Sequence, residues 1–366
     1  MTMQGNKLKV RGMPRGTSIL RLNEKLLGDL RDLIREARQN VARNINSALV
    51  MLYWKVGKRI RQEILKEKRA AYGEEIVPTL SARLVKDFGN GFSPPNLSRM
   101  VRLVEVFPDL NILSTLSKEL SWSHFVEILP LKDDLQRDFY AEMCRIEKWS
   151  VRTLRGKIGG MLFERTALSK KPAELARKEL TALREEDKLT PDLVFRDPYL
   201  LDFLGLKDTY GEKDVEAAIL REMEAFILEL GVGFTFVERQ KRITVGEDDF
   251  YLDLLFYHRI LRRLVAIELK LDKFKPAYKG QMELYLRWLE KYEQKSGEGS
   301  PIGLILCASK SEEQIELLQL GKSGIRVAAY MTELPPRDLL RRKLHEAIIL
   351  ARARLAEKKQ LNLPGD

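Results

Sequence analysis

Cysteine and histidine are scarce in this chain of 366 residues. The two cysteines, Cys144 and Cys307, stand far apart and outside any CxxC pair. That spacing excludes a disulfide framework and a cysteine-ligated zinc site. Three histidines, His124, His258 and His345, are too few for a histidine-rich metal centre and give no support to a Ser-His-Asp triad. No run of about 18 or more apolar residues occurs, so no transmembrane helix and no membrane partner is expected. Residues 1–17 are basic and polar and lack the apolar core of a signal peptide. A cytoplasmic protein is expected, with a flexible basic arm over residues 1–18. Glycine and proline are confined, over residues 19–163, mostly to short breaks such as Gly89-Asn90-Gly91 and Pro94-Pro95.

Basic charge is plentiful. Sixty-four Lys and Arg against 53 Asp and Glu leave a formal net charge of +11. Such an excess suits a polyanionic partner, because phosphates attract it and binding releases their counterions. Nucleic acid, DNA first, is the expected partner. Hydrophobic residues are 44% of the chain, enough for a packed core.

The first part, residues 19–166, reads as all-helical. Ile45, Leu49, Leu52, Tyr53, Val56 and Ile60 recur at helical spacing. Ser121 and Ser150 stand where helices start and can cap them, with Trp122 and Trp149 as buried anchors. Residues 80–107 read as helix, sharp turn, helix, with Ser81 as cap of the first. The second helix would bury Leu97, Val101, Val104 and Phe107 and expose Arg99 and Arg102. In a helix-turn-helix such a second helix enters a DNA groove, and Arg99 and Arg102 are the candidate nucleic-acid contacts; the alternative is an ordinary helical hairpin. Residues 167–190, rich in Lys, Glu and Ala, read as a charged linker or surface helix and the domain boundary.

Residues 191–335 change character. A helix over 215–230, stopped by Gly231, precedes strands over 234–245, 250–258 and 262–270, with a turn over 246–249. A helix opening at Pro276, a buried strand over 302–307, a helix over 312–320 and a strand over 326–331 follow. This order predicts a mixed sheet flanked by helices. Residues 336–366 read as a basic surface or dimer-forming helix.

Two acids sit inside apolar strands: Asp253 in Tyr251-Leu252-Asp253-Leu254-Leu255, and Glu268 in Ala266-Ile267-Glu268-Leu269-Lys270. Buried carboxylates are costly unless paired or metal-bound. Strand alternation puts Glu268 and Lys270 on one face. A hairpin closed at Ile260-Leu261 pairs residues whose numbers sum to 521, which sets Asp253 against Glu268. Cross-strand neighbours lie roughly 4.5–5.5 Å apart, and two acids that close call for a cation such as Mg²⁺ or Mn²⁺. A slip of one residue would put them on opposite faces.

Asp253 followed by Glu268-Leu269-Lys270 has the form of the PD-(D/E)xK nuclease signature. With Arg239-Gln240-Lys241-Arg242-Ile243, Gly280-Gln281-Met282, Leu120-Ser121-Trp122-Ser123-His124 and Trp149-Ser150-Val151-Arg152, the chain resembles the bacterial YhcG-like family over about residues 20–345. Leu252 stands where the signature has Pro. The resemblance implies an all-helical N-terminal domain followed by a restriction-endonuclease-like mixed sheet, and a metal-dependent DNA endonuclease. It implies Asp253 and Glu268 as metal ligands and Lys270 as the residue that positions water and stabilises charge. Glu216, from the first helix of the nuclease fold, would complete the metal site, and Gln240 and Gln281 would touch substrate or water. A homodimer and a protein partner from a restriction system are further expectations. The alternative is a non-catalytic nucleic-acid-binding or assembly protein of a restriction or mobile-element system.

Overall fold

The structure is a computed structural model that describes residues 15–67, 70–206, 211–332 and 335–361. Most of the expected basic arm, residues 1–14, lies outside them. The chain divides into two compact units, Met1–Leu129 and Pro130–Asp366.

The first unit is helical throughout its described residues. A 53-residue helix, Arg15–Glu67, is followed by helices Ala70–Phe88, Pro94–Val106, Leu110–Ser117 and Trp122–Ile128. Its core gathers Tyr53 and Ile60 of the long helix with Leu97 and Met100. The Trp54 indole donates to the Phe107 carbonyl at 2.9 Å. Ser81 does not start a helix as expected. The helix begins at Ala70 and passes through Pro78, and the Ser81 hydroxyl instead donates to Phe92 O. The turn Asn90–Phe92 then leads into the second helix at Pro94, where a proline costs no hydrogen bond. That helix buries Leu97, Met100, Leu103 and Val104, while Val101 is only half-buried. Arg99 and Arg102 are exposed.

The second unit opens with helices Asp134–Glu147, Val151–Gly159, Leu162–Arg165 and Ala173–Glu186. The last of these decides between the two readings of residues 167–190, linker or surface helix, in favour of the helix. Ala176, Leu180 and Leu183 form a buried stripe at helical spacing, and Arg184 pairs with the fully buried Glu142 at 2.6 Å. The segment's high charge hid a short apolar face. Beyond it lie β1 (Tyr199–Leu200), the helices Glu212–Arg221 and Met223–Leu230, and β2 (Phe234–Val245). The expected single helix over 215–230 is therefore two, divided at Glu222. β3 (Asp248–His258), β4 (Arg263–Lys273), helix Ala277–Tyr292, β5 (Ile302–Ser309), helix Glu312–Leu317, β6 (Ile325–Met331) and helix Arg337–Leu361 complete the chain. The turn expected over 246–249 is tighter, because Asp248 and Asp249 already belong to β3. Gly246 takes the left-handed φ of 63° that this turn needs. The last helix packs on its own unit through Leu340 and Leu344, which meet Met161.

The sheet order is β1-β6-β5-β4-β3-β2. β1, β6, β5 and β4 run parallel, and β4, β3 and β2 are antiparallel. Every residue from Ile302 to Cys307 is buried, as a central strand covered on both faces requires. Helix Ala277–Tyr292 sends Met282, Tyr285, Leu286 and Leu289 into a core shared with Leu252, Leu255, Ala266 and Ile305. Two ionic clusters escape any reading by periodicity. Arg165 and Arg196 share Glu229, and Lys170 and Lys310 share Asp197.

Gly57 marks where the long helix crosses Pro94–Val106. A Cβ built on it would stand 2.0 Å from the Met100 carbonyl oxygen. Alanine gains about 1 kcal/mol of helix propensity over glycine, but forcing two backbones apart costs typically 1–3 kcal/mol or more. The clash should therefore win. Gly57→Ala is expected to lower the urea midpoint of unfolding by a net loss of about 1–2 kcal/mol; a midpoint at or above the parent's would show that the helices do not cross so closely.

Candidate active site

The β3–β4 hairpin has the register anticipated from the two acids. Its pairs run from Leu254↔Ile267 to His258↔Arg263, each summing to 521. The turn is wider than the two residues expected and spans residues 259–262. At Asp253 and Glu268 side chains take over from the backbone ladder. The Leu269 N–H donates to Asp253 Oδ2 at 2.9 Å, and the Asp253 N–H donates to Glu268 Oε1 at 3.4 Å. Each acid thus answers a backbone donor on the opposite strand, which locks both carboxylates to the same point of the sheet. Lys270, two residues beyond Glu268 and on its face, reaches Glu268 Oε2 with its Nζ at 3.0 Å. Its ammonium also lies 5.5 Å from the centre of the Tyr278 ring.

Gln240 approaches from β2. Strand pairing flanks it at Arg239↔Leu254 and Lys241↔Leu252, and it takes a left-handed φ of 46°. For a residue with a side chain this is a costly conformation inside a strand. It carries the amide between two acids: Gln240 Nε2 donates to Asp253 Oδ1 at 3.1 Å and to Glu216 Oε2 at 2.9 Å. Glu216 itself comes from helix Glu212–Arg221. Gln281 is one side chain further away. Its amide donates to the Tyr285 hydroxyl at 2.6 Å, and that hydroxyl faces the carbonyl of Tyr251 at 3.4 Å.

A cavity of about 470 Å³ opens over Asp253, Glu216 and Gln240, with Glu212, Lys213 and Arg239 among its walls. These last three were not singled out from the sequence. Glu212 had a signal, since it stands four residues before Glu216 and so on the same helix face. Lys213 and Arg239 sit in runs of charge with nothing to distinguish them.

The electrostatics follow from crowding acids at a sheet surface. Burial, with the Asp253 charge adding to it, pushes the Glu268 carboxyl up to about 7 despite Lys270. Burial also raises Asp253, against the pull of the Leu269 N–H and Lys270. Glu216 is raised by burial and by Asp253. Burial disfavours the Lys270 ammonium, but Glu268 outweighs it and holds that amine above its ordinary value. Among the described residues no three or more His, Cys, Asp or Glu side chains gather closely enough to hold a metal ion together. The acids at the centre act as a pair, Asp253 and Glu268, with Glu216 joined to them through Gln240.

Arg99 and Arg102 belong to the first unit and lie on the exposed side of helix Pro94–Val106. Arg102 pairs with Glu105 at 3.0 Å, both exposed.

The raised Glu268 has a consequence for stability. Its folded value lies above the ordinary 4.5, so the folded state keeps a proton that the unfolded chain has lost. Stability therefore falls as pH rises from about 4.5 through about 7. Glu268→Gln is expected to raise the melting temperature of the metal-free protein at pH 8 and to leave it near the parent's at pH 4.5. Equal melting temperatures at both pH values would show that Glu268 is not held against its charge.

Comparison with known proteins gives the family of the chain. Residues 29–165 match the DUF1016 N-terminal domain, and residues 192–345 match the YhcG PDDEXK nuclease domain. The chain is 33% identical over 334 residues to "Putative nuclease YhcG" of Escherichia coli (strain K12), covering 83% of this chain and 88% of that protein. The crystal structure of a repair endonuclease from Pyrococcus abyssi aligns with a TM-score of 0.25 and 24% identity, over 36% of this chain and 50% of that one. With both domain models matched in order and a relative of this identity spanning most of its length, the chain belongs to the YhcG family, a DUF1016 N-terminal domain joined to a PDDEXK nuclease domain.

Proposed function

We propose that this protein is a divalent-metal-dependent endonuclease that hydrolyses DNA phosphodiester bonds at the Asp253–Glu268–Lys270 centre. The observation that carries the reading is the exchange of side-chain and backbone hydrogen bonds between Asp253, Glu268 and Leu269, with the Lys270 ammonium 3.0 Å from Glu268. It gathers two acids and a base at one point of the sheet, beside an open cavity. Both carboxyls are raised by burial, and Glu268 also by its neighbour's charge, as expected of a pair that a cation would relieve. Two carboxylates with water and phosphate oxygens make a donor set that suits Mg²⁺ or Mn²⁺. Asp253 and Glu268 would hold the ion, and Glu216 would complete the acidic set. When bound, the ion supplies charge neutralisation at the phosphoryl group and acidifies water.

The chain's own residues do the rest. Asp253 is fixed by the Leu269 N–H and by Gln240, so its free lone pairs keep one direction. Glu268, held by the Asp253 N–H and the Lys270 ammonium, is placed to orient the attacking water and to take its proton. As the water oxygen bonds to phosphorus, the bond to the leaving sugar oxygen breaks and that oxygen takes a proton from solvent water. Lys270 stays charged and offsets the negative charge that builds on the phosphoryl oxygens. Lys213 and Arg239 line the cavity where the neighbouring backbone would lie. In this reading Gln281 orients Tyr285 beside the centre, and the N-terminal domain holds the duplex through Arg99 and Arg102.

Asp253→Asn and Lys270→Ala are each expected to slow Mg²⁺-dependent cleavage of duplex DNA at least about 100-fold. Both should keep the parent's melting temperature within a few degrees and its gel-shift affinity. Cleavage at the parent's rate by either variant, or cleavage that survives EDTA, contradicts the assignment. If Arg99 and Arg102 meet phosphates, alanine at each should flatten the slope of log affinity against log salt by about 1. An unchanged slope would remove that helix from the DNA interface.

A further inference from the structure

The long first helix behaves as two different helices. From Ser47 onward it is anchored: the Ser47 and Ser117 hydroxyls are 2.8 Å apart, and Val50, Tyr53, Trp54 and Ile60 are buried. Before that it stands clear. Leu27, Leu30, Leu33, Ile34, Val41 and Ile45 are between 46% and 62% exposed. Among the described residues nothing covers them, and a single helix without a packed face is marginal in water.

Their spacing is informative. With Leu27 at position a of a heptad, Leu30 is d, Ile34 is a, Ala37 is d, Val41 is a and Asn44 is d. The charged residues Asp32, Arg35, Glu36 and Arg43 fall at b, c and f, on the outer side, where Arg35 pairs with Asp32 at 2.9 Å. An apolar seam at 3.5-residue spacing opposite a charged face is the pattern of a coiled coil rather than of a helix lying on a globular core.

We infer that this seam is the dimerisation surface of the protein, and that its occupant is the same helix of a second copy, parallel and in register. Charge at the flanking positions selects the direction. Arg31 and Arg38 occupy e, while Leu33 and Asn40 occupy g. A parallel pair brings g of one helix against the e position five residues on in the other, so Arg38 meets Leu33 and Ile45 meets Asn40, with no arginine facing arginine. An antiparallel pair would set e against e, arginine against arginine. Parallel pairing in register also sets Asn44 against Asn44, where two amides satisfy each other and a shifted register would leave them facing apolar groups. The a, d, e and g positions from Leu27 to Ile45 form one continuous strip along the helix. Each dimer then carries two Asp253 centres.

Sedimentation equilibrium of the full chain tests the seam, with cysteine cross-linking testing its direction. The parent is expected at twice its 42.3 kDa. Leu30→Asp with Ile34→Asp should sediment as a monomer and retain the parent's thermal transition, because both side chains face solvent in the single chain. Ile34→Cys should form a covalent dimer under mild oxidation, since facing a positions bring Cα atoms within disulfide reach. Asp32→Cys, on the outer side, should not; the native Cys144 and Cys307 are buried and give no background. A monomeric parent, a double-aspartate variant that still dimerises, or an Ile34→Cys protein that fails to cross-link would each overturn the inference.

Discussion

Everything at the centre depends on how the β3–β4 hairpin ends. Backbone pairing runs to Leu254↔Ile267, and there two carboxylates take over from the ladder, each accepting an N–H from the other strand. A carboxylate that accepts backbone donors is held in orientation as firmly as the strand that carries it. That arrangement offsets part of the cost of burying two like charges a few ångströms apart. The rest of the cost shows in the raised carboxyls, and the proposed cation would relieve it.

The surrounding architecture serves that hairpin. β5, buried on both faces, fixes β4 from one side, and β2 covers β3 from the other. Helix Ala277–Tyr292 closes one face and sends Tyr285 toward the acids. Helix Glu212–Arg221 brings Glu216 to the opening, and the left-handed backbone at Gln240 turns an amide into the gap between Glu216 and Asp253. Strain at Gln240 is tolerated because that amide answers two acids at once.

Much of this was legible in the sequence, for identifiable reasons. Acids inside apolar strands are rare, so Asp253 and Glu268 stood out, and their numbers alone set the register. The strand order followed from runs of β-branched and apolar residues between turn signals. What periodicity does not show was missed. Lys213 and Arg239 lie in charged surroundings, where one more charge is no signal, and Glu212 had only its helical spacing from Glu216. Residues 167–190 read equally as linker or surface helix because the apolar stripe of Ala173–Glu186 is only three residues. Ser81 passed for a cap because serine is a common helix cap, whereas the helix already starts at Ala70. The two-residue β1 is too short to leave a pattern, and it forms only because β6 offers it an edge. The seam of the first helix was readable as a heptad, but its meaning came from finding it uncovered.

The claim that matters most is that Asp253 and Glu268 share one divalent ion. Crystals soaked in Mn²⁺ and measured at the manganese absorption edge test it directly. The account expects an anomalous peak between the two carboxylates, within coordination distance of both, and its loss in Asp253→Asn. A peak elsewhere, or none at a concentration that supports cleavage, would contradict it.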